Sequence, residues 1–341
     1  MIEQIIARFP GVSCAWMDAA GRVNTMCWGV ADKECNLPVA GDTIFPACSI
    51  SKFITAICVI KLQEQQSIDI DAPINAYLRR WKLRTPDGSE SDATVRAILC
   101  HTAGVMDGED AFYGLRRSNP EITLLDILEG RTSYNNRPVR AEKAPGTAFE
   151  YSDAGYCILQ LLAEEVTGKN FDAVARMLVF DALELKNTFF ASRKNVEYHE
   201  ANATMATGYD GEGLSLPGKY PHQPDLAASA LWSTPRELLA IAKAFIEAYH
   251  GRSTFLQEAS AREMTKPVEK FPWTGLGVFP QGEDIIMSQG WGENGQCMLK
   301  MNLRTCAACA VMTNRNPETD QAESGVEWLV DSIMGSATQG S

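Results

Sequence analysis

One charge constrains this chain more than any other feature. Between Asp42 and Lys61 the only charged side chain is Lys52, set in Cys48-Ser49-Ile50-Ser51-Lys52-Phe53-Ile54. The stretch Phe45–Gln65 reads as one long helix that is apolar on nearly every face, so it has to be buried all round. A lone ammonium there is costly unless it is paired or loses its proton. Burial lowers a lysine pKa, and a lysine that can be neutral at about pH 7 is a usable base. Ser49 lies three residues earlier on the same helical face. It sits at a helix start, where free backbone N–H groups can stabilise an oxyanion. Nucleophile, base and oxyanion donor thus form one local package. The bland reading has Lys52 snorkelling to the surface and Ser49 serving only as an N-cap. An S-x-x-K string arises by chance about once in a chain of this length, so the buried charge carries the argument.

The rest of the chain frames that helix. Val12–Met17 and Arg22–Val30 read as strands joined at Asp18-Ala19-Ala20-Gly21, a hairpin signal. Thr274–Phe279, Asp284–Ser288, Gln296–Asn302 and Cys306–Thr313 are strand-like runs, the later ones separated by short turns. Ala322–Met334 reads as a closing helix. Between these lie short helical pieces (Ala93–Cys100, Thr123–Leu128) and the longer Ala154–Thr167, which stops at Gly168, the expected C′ residue. Phe171–Leu183 reads as another helix. Thr234-Pro235-Arg236-Glu237 has the form of a capping box. The economical reading is an α+β fold, an antiparallel sheet built from both chain termini and flanked by helices, with a mostly helical inserted region. The expected division is 1–66 with 215–341 as the sheet domain and 67–214 as the helical one.

The serine–lysine pattern is that of β-lactamases and penicillin-binding proteins, which bring a second group from the helical region, often in Tyr-x-Asn. Tyr134-Asn135-Asn136 matches the string but lies in a polar loop with no helix after it. Tyr151-Ser152-Asp153 immediately precedes the helix Ala154–Thr167 and is the better candidate. Asp153 also reads as an ordinary N-cap for that helix, and Tyr151 as a core aromatic.

From about residue 11 to 315 the chain resembles the class C β-lactamase-related serine hydrolase family, which includes penicillin-binding-protein-like esterases and D-aminopeptidases. The matching stretches are Thr43-Ile44-Phe45 leading into Ser49–Lys52, Leu99-Cys100-His101-Thr102-Ala103-Gly104, Tyr151-Ser152-Asp153-Ala154-Gly155-Tyr156, Ala227–Leu238 and Gly275-Leu276-Gly277. The resemblance implies the serine β-lactamase/penicillin-binding-protein fold, a Ser49 nucleophile, Lys52 and Tyr151 as acid–base partners, and an acyl-enzyme. Asp153 replaces the family's Asn. The Lys-Thr-Gly or His-x-Gly strand motif is matched only by Ser288-Gln289-Gly290-Trp291, with Ser288 in place of the basic residue that helps bind a substrate carboxylate. By the same resemblance, the Trp291 N–H is the second oxyanion donor beside that of Ser49. These departures favour esters over β-lactams and D-alanyl peptides, and leave a catalytically weak binding protein or pseudoenzyme as the alternative. His101 falls in a His-Thr-x-Gly turn that reads as structural.

Composition narrows the partners. With 31 basic and 43 acidic residues the net charge is −12, which makes nucleic acid and anionic membranes poor partners. A small-molecule substrate is expected. No G-x-S-x-G elbow, Gly-rich phosphate loop or metal-ligand spacing occurs, so no cofactor is expected. Cys306-Ala307-Ala308-Cys309 reads as part of a buried strand, where i and i+3 face opposite ways. The ten cysteines sit mostly in apolar runs, as free thiols do. With no export signal at the N-terminus, a cytoplasmic setting is expected.

Overall fold

The structure, a computed structural model, describes residues 1–18, 20–116, 118–119, 121–202 and 204–339. Ala19 of the expected hairpin turn lies outside these. Ten strands run in chain order: β1 Gly11–Met17, β2 Val23–Asp32, β3 Leu37–Pro38, β4 Phe45–Cys48, β5 Phe189–Phe190, β6 Leu231–Ser233, β7 Phe279–Gln281, β8 Ile285–Gly292, β9 Gly295–Asn302 and β10 Ala308–Thr313. Seven form one sheet in the order β3-β2-β1-β10-β9-β8-β7. β1 pairs antiparallel with β10, from Val12 opposite Thr313 to Met17 opposite Ala308. The first and last strands of the chain therefore meet at the middle of the sheet.

Alternation along these strands sorts the core into two layers. Val12 and Cys14 of β1, Met298 of β9 and Cys309 and Val311 of β10 pack beneath the terminal helix Val326–Gln339. Ala15 and Met17, Leu299 and Met301, and Ala310 and Met312 face the other way. They join the cluster that holds the helix Ile50–Glu64 and the helix Pro235–Tyr249.

Several local expectations need correction. Phe45–Gln65 is not one helix: Phe45–Cys48 is a strand paired with β6, and the helix begins at Ile50. Cys48 makes the corner with a φ of 44°. Both pieces are apolar on all sides, and periodicity does not separate a buried strand from a buried helix. Thr274–Val278 is a turn rather than a strand, closed by the Gly275 N–H bonding to Val278 O at 2.9 Å. It crosses the Ile50–Glu64 helix so closely that a Cβ on Gly277 would stand 2.4 Å from Ala56 Cβ. Phe171–Leu183 is broken into an α-helical turn, a wider π turn and a 3₁₀ turn. The closing helix is split at Gly325 (φ 91°), where any Cβ would strike Ile5. Cys306 lies in the turn before β10 and not in the strand. Thr234 Oγ1 does accept from the Glu237 N–H, but the Glu237 carboxylate goes instead to the N–H groups of Lys186 and Asn187 and to Thr188 Oγ1. Only half of that capping box forms.

Candidate active site

Ser49 stands at the start of the Ile50–Glu64 helix, and its side chain makes no capping bond. The N-cap reading therefore does not account for its hydroxyl. Lys52 is 3% exposed and does not snorkel. Its Nζ reaches Ser49 Oγ at 3.1 Å and Ala228 O at 2.9 Å, and makes a close ion pair with Asp153 Oδ1. It also lies 4.8 Å from the centre of the Tyr151 ring.

This pairing reverses one expectation. Burial alone would lower the Lys52 pKa, but the Asp153 carboxylate and the Tyr151 oxygen outweigh burial and hold it above its ordinary value. Lys52 is an ammonium here, not the neutral amine that its apolar setting predicts. Tyr151 opens one ring face to the cleft while its hydroxyl sits against Ser49 and Lys52. Desolvation pushes the phenol up and the Lys52 ammonium opposes that shift.

The loop that carries Tyr151 is held from both ends. Ser152, not Asp153, is the N-cap of the helix Asp153–Thr167, its Oγ accepting from the Gly155 N–H at 2.9 Å. Asp153 is thereby free to turn toward Lys52. Asp107 accepts from Ser152 Oγ at 2.7 Å and from the N–H groups of Asp153 and Ala154 at 2.7 and 3.0 Å. Burial and the nearby Asp153 charge push Asp107 up to about 6. His101 stacks on Tyr151 with ring centres 4.5 Å apart, and its Nδ1 accepts from the Ser152 N–H. Burial and Lys52 hold this imidazole well below its usual pKa, so it is neutral. Tyr134 goes elsewhere: it is buried and donates to Asp225 Oδ1 at 2.7 Å. The segment around it is a polar loop, as expected, from which Tyr134 and the neighbouring Asn135 are buried.

A cleft of about 540 Å³ opens over Ser49. Among the described residues six aromatic side chains line it, namely Tyr113, Phe149, Tyr151, Trp273, Phe279 and Trp291, and the only charged lining group is Asp153. On β8 the alternation turns Met287, Gln289 and Trp291 to the cleft. Ser288 is 3% exposed and is not part of the cleft wall. Ser288, expected at the substrate-binding position in place of the family's basic residue, does not line the cleft, and Gln289 occupies the wall instead. Gly290 packs against the nucleophile corner. Its carbonyl accepts from Gln321 Nε2 at 2.9 Å. The Trp291 indole donates to Asn316 Oδ1 at 2.6 Å. Asp107, Gln321 and the wall aromatics Tyr113, Phe149, Trp273 and Phe279 escaped sequence reasoning, because nothing local marks them. Among the described residues no group of His, Cys, Asp or Glu is placed to hold a metal.

The fold is of the serine β-lactamase type, and comparison with known proteins agrees. The Beta-lactamase family profile matches residues 1–330, and the chain belongs to that family. Esterase EstB of Burkholderia gladioli is 30% identical over 199 residues, which cover 55% of this chain and 50% of that protein. The chain spans about half or less of the length of the curated relatives it matches first. Among solved structures, D-amino acid amidase from Ochrobactrum anthropi SV3 superposes with a TM-score of 0.77 at 23% identity, covering 98% of both chains. The octameric penicillin-binding protein homologue from Pyrococcus abyssi gives 0.78 at 22% identity, covering 97% of this chain and 76% of that one. At those identities the likeness concerns the fold.

Proposed function

We propose that this chain is a serine hydrolase that works through an acyl-enzyme on small esters or amides, with esterase-type activity favoured. Ser49 Oγ attacks the carbonyl carbon, Lys52 and Tyr151 carry the proton to the leaving group, and water releases the acyl group by the reverse route. The N–H groups of Ser49 and Trp291 are the proposed oxyanion donors. The observation that carries this reading is an uncapped serine hydroxyl 3.1 Å from a buried lysine, at the floor of a cleft of about 540 Å³. The cleft lies where the proposed sheet region (1–66 with 215–341) meets the proposed helical region (67–214), with walls from both. With no cationic side chain among the described residues of that wall, a neutral or cationic substrate is favoured over an anionic one. This puts β-lactams and carboxylate-ended peptides behind neutral esters.

The test is covalent labelling with a serine-reactive phosphonate, read by intact mass. One adduct is expected, lost in Ser49→Ala. An adduct that persists in that variant ends the assignment. A panel of short-chain esters, amino-acid amides and a chromogenic cephalosporin then ranks substrates. A second reading, a weakly active binding protein, is favoured by the ammonium state of Lys52, and predicts no adduct at all. The ten free thiols, eight of them wholly or partly buried in apolar surroundings, are the basis for proposing a reducing, cytoplasmic setting. No described helix is long and apolar enough to cross a membrane.

A further inference from the structure

The lysine that should take the serine proton already holds a full complement of its own. Lys52 Nζ has two fixed acceptors, Ala228 O and Asp153 Oδ1, and each requires an N–H. The remaining tetrahedral direction faces Ser49 Oγ at 3.1 Å, with the Tyr151 hydroxyl beside it. In an ammonium that direction carries a third N–H and cannot accept. In an amine it carries the lone pair and can. The nucleophile is therefore activated only when one proton leaves Lys52, and the atom in closest contact with Nζ is a carboxylate oxygen.

We propose that Asp153 is the terminal acceptor of the Ser49 proton, delivered through Lys52. Nζ first gives the proton it directs at Asp153 to Oδ1, the amino group turns about Cε–Nζ to bring the freed lone pair to Ser49, and Nζ takes the Oγ proton as Oγ bonds to the substrate carbonyl carbon. Lys52 stays an ammonium, Asp153 becomes a neutral acid and the negative charge moves to the substrate oxyanion. When the tetrahedral intermediate collapses, the proton returns from Asp153 through Lys52 to the departing oxygen or nitrogen, and the carboxylate is restored. Asp153 reaches the serine only through Lys52, so it is a positioning residue that also stores the proton. An asparagine cannot store it. The proposal rests on the Ser49–Lys52 reading above.

Other groups facing the pair decide how its pH dependence is read. From residues 101–107 these are His101 and Asp107, and from the loop before the helix Tyr151. Tyr156 and Cys157 face it from the helix itself. Tyr113, Tyr134 and Asp225 face it from the remaining segments. Burial and the Asp153 charge raise Asp107 to about 6 and Asp225 to about 7. Removing the Asp153 charge lowers both, so neither can move an acid limb upward.

The experiment is the pH profile of Ser49 phosphonylation in the wild-type protein and in Asp153→Asn, read by intact mass from about pH 4 to 10. With the proton store gone, Lys52 has to deprotonate to solvent before it can act. The acid limb should then move up by about two pH units or more. If Asp153 only holds the lysine charged, its removal lowers the lysine pKa and the limb moves down. A limb that moves down, stays in place, or vanishes because a folded Asp153→Asn protein never reacts overturns the proposal. A second measurement needs no variant. Wild-type rates in mixtures of light and heavy water should give a bowed proton inventory, from two protons in flight. A linear inventory overturns the relay. Labelling that survives Ser49→Ala would instead overturn the underlying assignment, so the two failures are separable.

Discussion

Gly290→Ala should disable the site without unfolding the protein, and the contacts say by how much. Gly290 lies one residue before Trp291, on the strand edge that faces the nucleophile corner. A Cβ there would stand 2.5 Å from Ala47 O, 2.6 Å from Cys297 Sγ and 2.8 Å from Cys48 Cβ. Ordinary contact begins at 3.4 Å, so about 0.9 Å has to be found, 3.4 − 2.5, against a backbone atom that cannot swing away. Ala47 and Cys48 belong to β4 and lead directly into Ser49, so relief pushes β8 and Ser49 apart. Overpacking of this kind costs about 1–3 kcal/mol, which a core of this size survives. A displacement of about 1 Å between reacting groups costs about 10²-fold in rate, and loss of one oxyanion donor costs about 10²–10³-fold. We expect kcat on a neutral chromogenic ester to fall by about 10²-fold or more. KM should change little, because the oxyanion forms only after binding. The melting temperature should fall by a few degrees. Gly41→Ala, where nothing lies within 4 Å, is the control. A folded Gly290→Ala enzyme with kcat close to wild type would refute both the close packing of β8 on β4 and the placement of the oxyanion donor at Trp291.

Three other outcomes follow from the same geometry. Lys52→Ala and Tyr151→Phe should each lower turnover by about 10²-fold or more, while Tyr134→Phe, which takes a donor from buried Asp225, should lower the melting temperature and leave kcat nearly unchanged; near-normal rates in both of the first two would remove their roles. Gln289→Lys puts a cation in the cleft wall and should raise kcat/KM for a carboxylate-bearing ester about tenfold to a hundredfold relative to its neutral analogue, the range of one charge-assisted hydrogen bond; an unchanged ratio would place the carboxylate elsewhere. Burial raises Asp225 to about 7 from the ordinary 3.8, so between about pH 4 and 7 the folded protein binds more protons than the unfolded chain and stability falls as pH rises through that window. Asp225→Asn mimics the protonated form and should flatten the slope, which melting curves at pH 5 and 7.5 will measure; an equal slope in both proteins would exclude Asp225 as its source.

Much of the architecture was legible because it is written in local pattern. Two strands with a turn between them, a late meander and a capped amphipathic helix each follow from spacing within about a dozen residues. The Ser49–Lys52 pair belongs to the same class, since three residues on a helix bring two side chains to one face whatever the rest of the chain does. A single charge in an apolar run also announced that it needed a partner. What local pattern could not supply was the partner's identity. Asp153 is 101 residues from Lys52, and its availability depends on Ser152 taking the cap and Asp107 pinning the turn. Local pattern did prefer Tyr151 to Tyr134, because a helix follows it, whereas only the tertiary structure places Tyr134 against Asp225 and Tyr151 in the cleft wall. The protonation state of Lys52 turned on the same encounter: burial predicts a neutral amine, and only a carboxylate brought into contact by the tertiary fold reverses the sign. Which side chain is costly to bury is set by its own chemistry and its neighbours along the chain, whereas what compensates that cost is set by whichever distant segment the core packs against it.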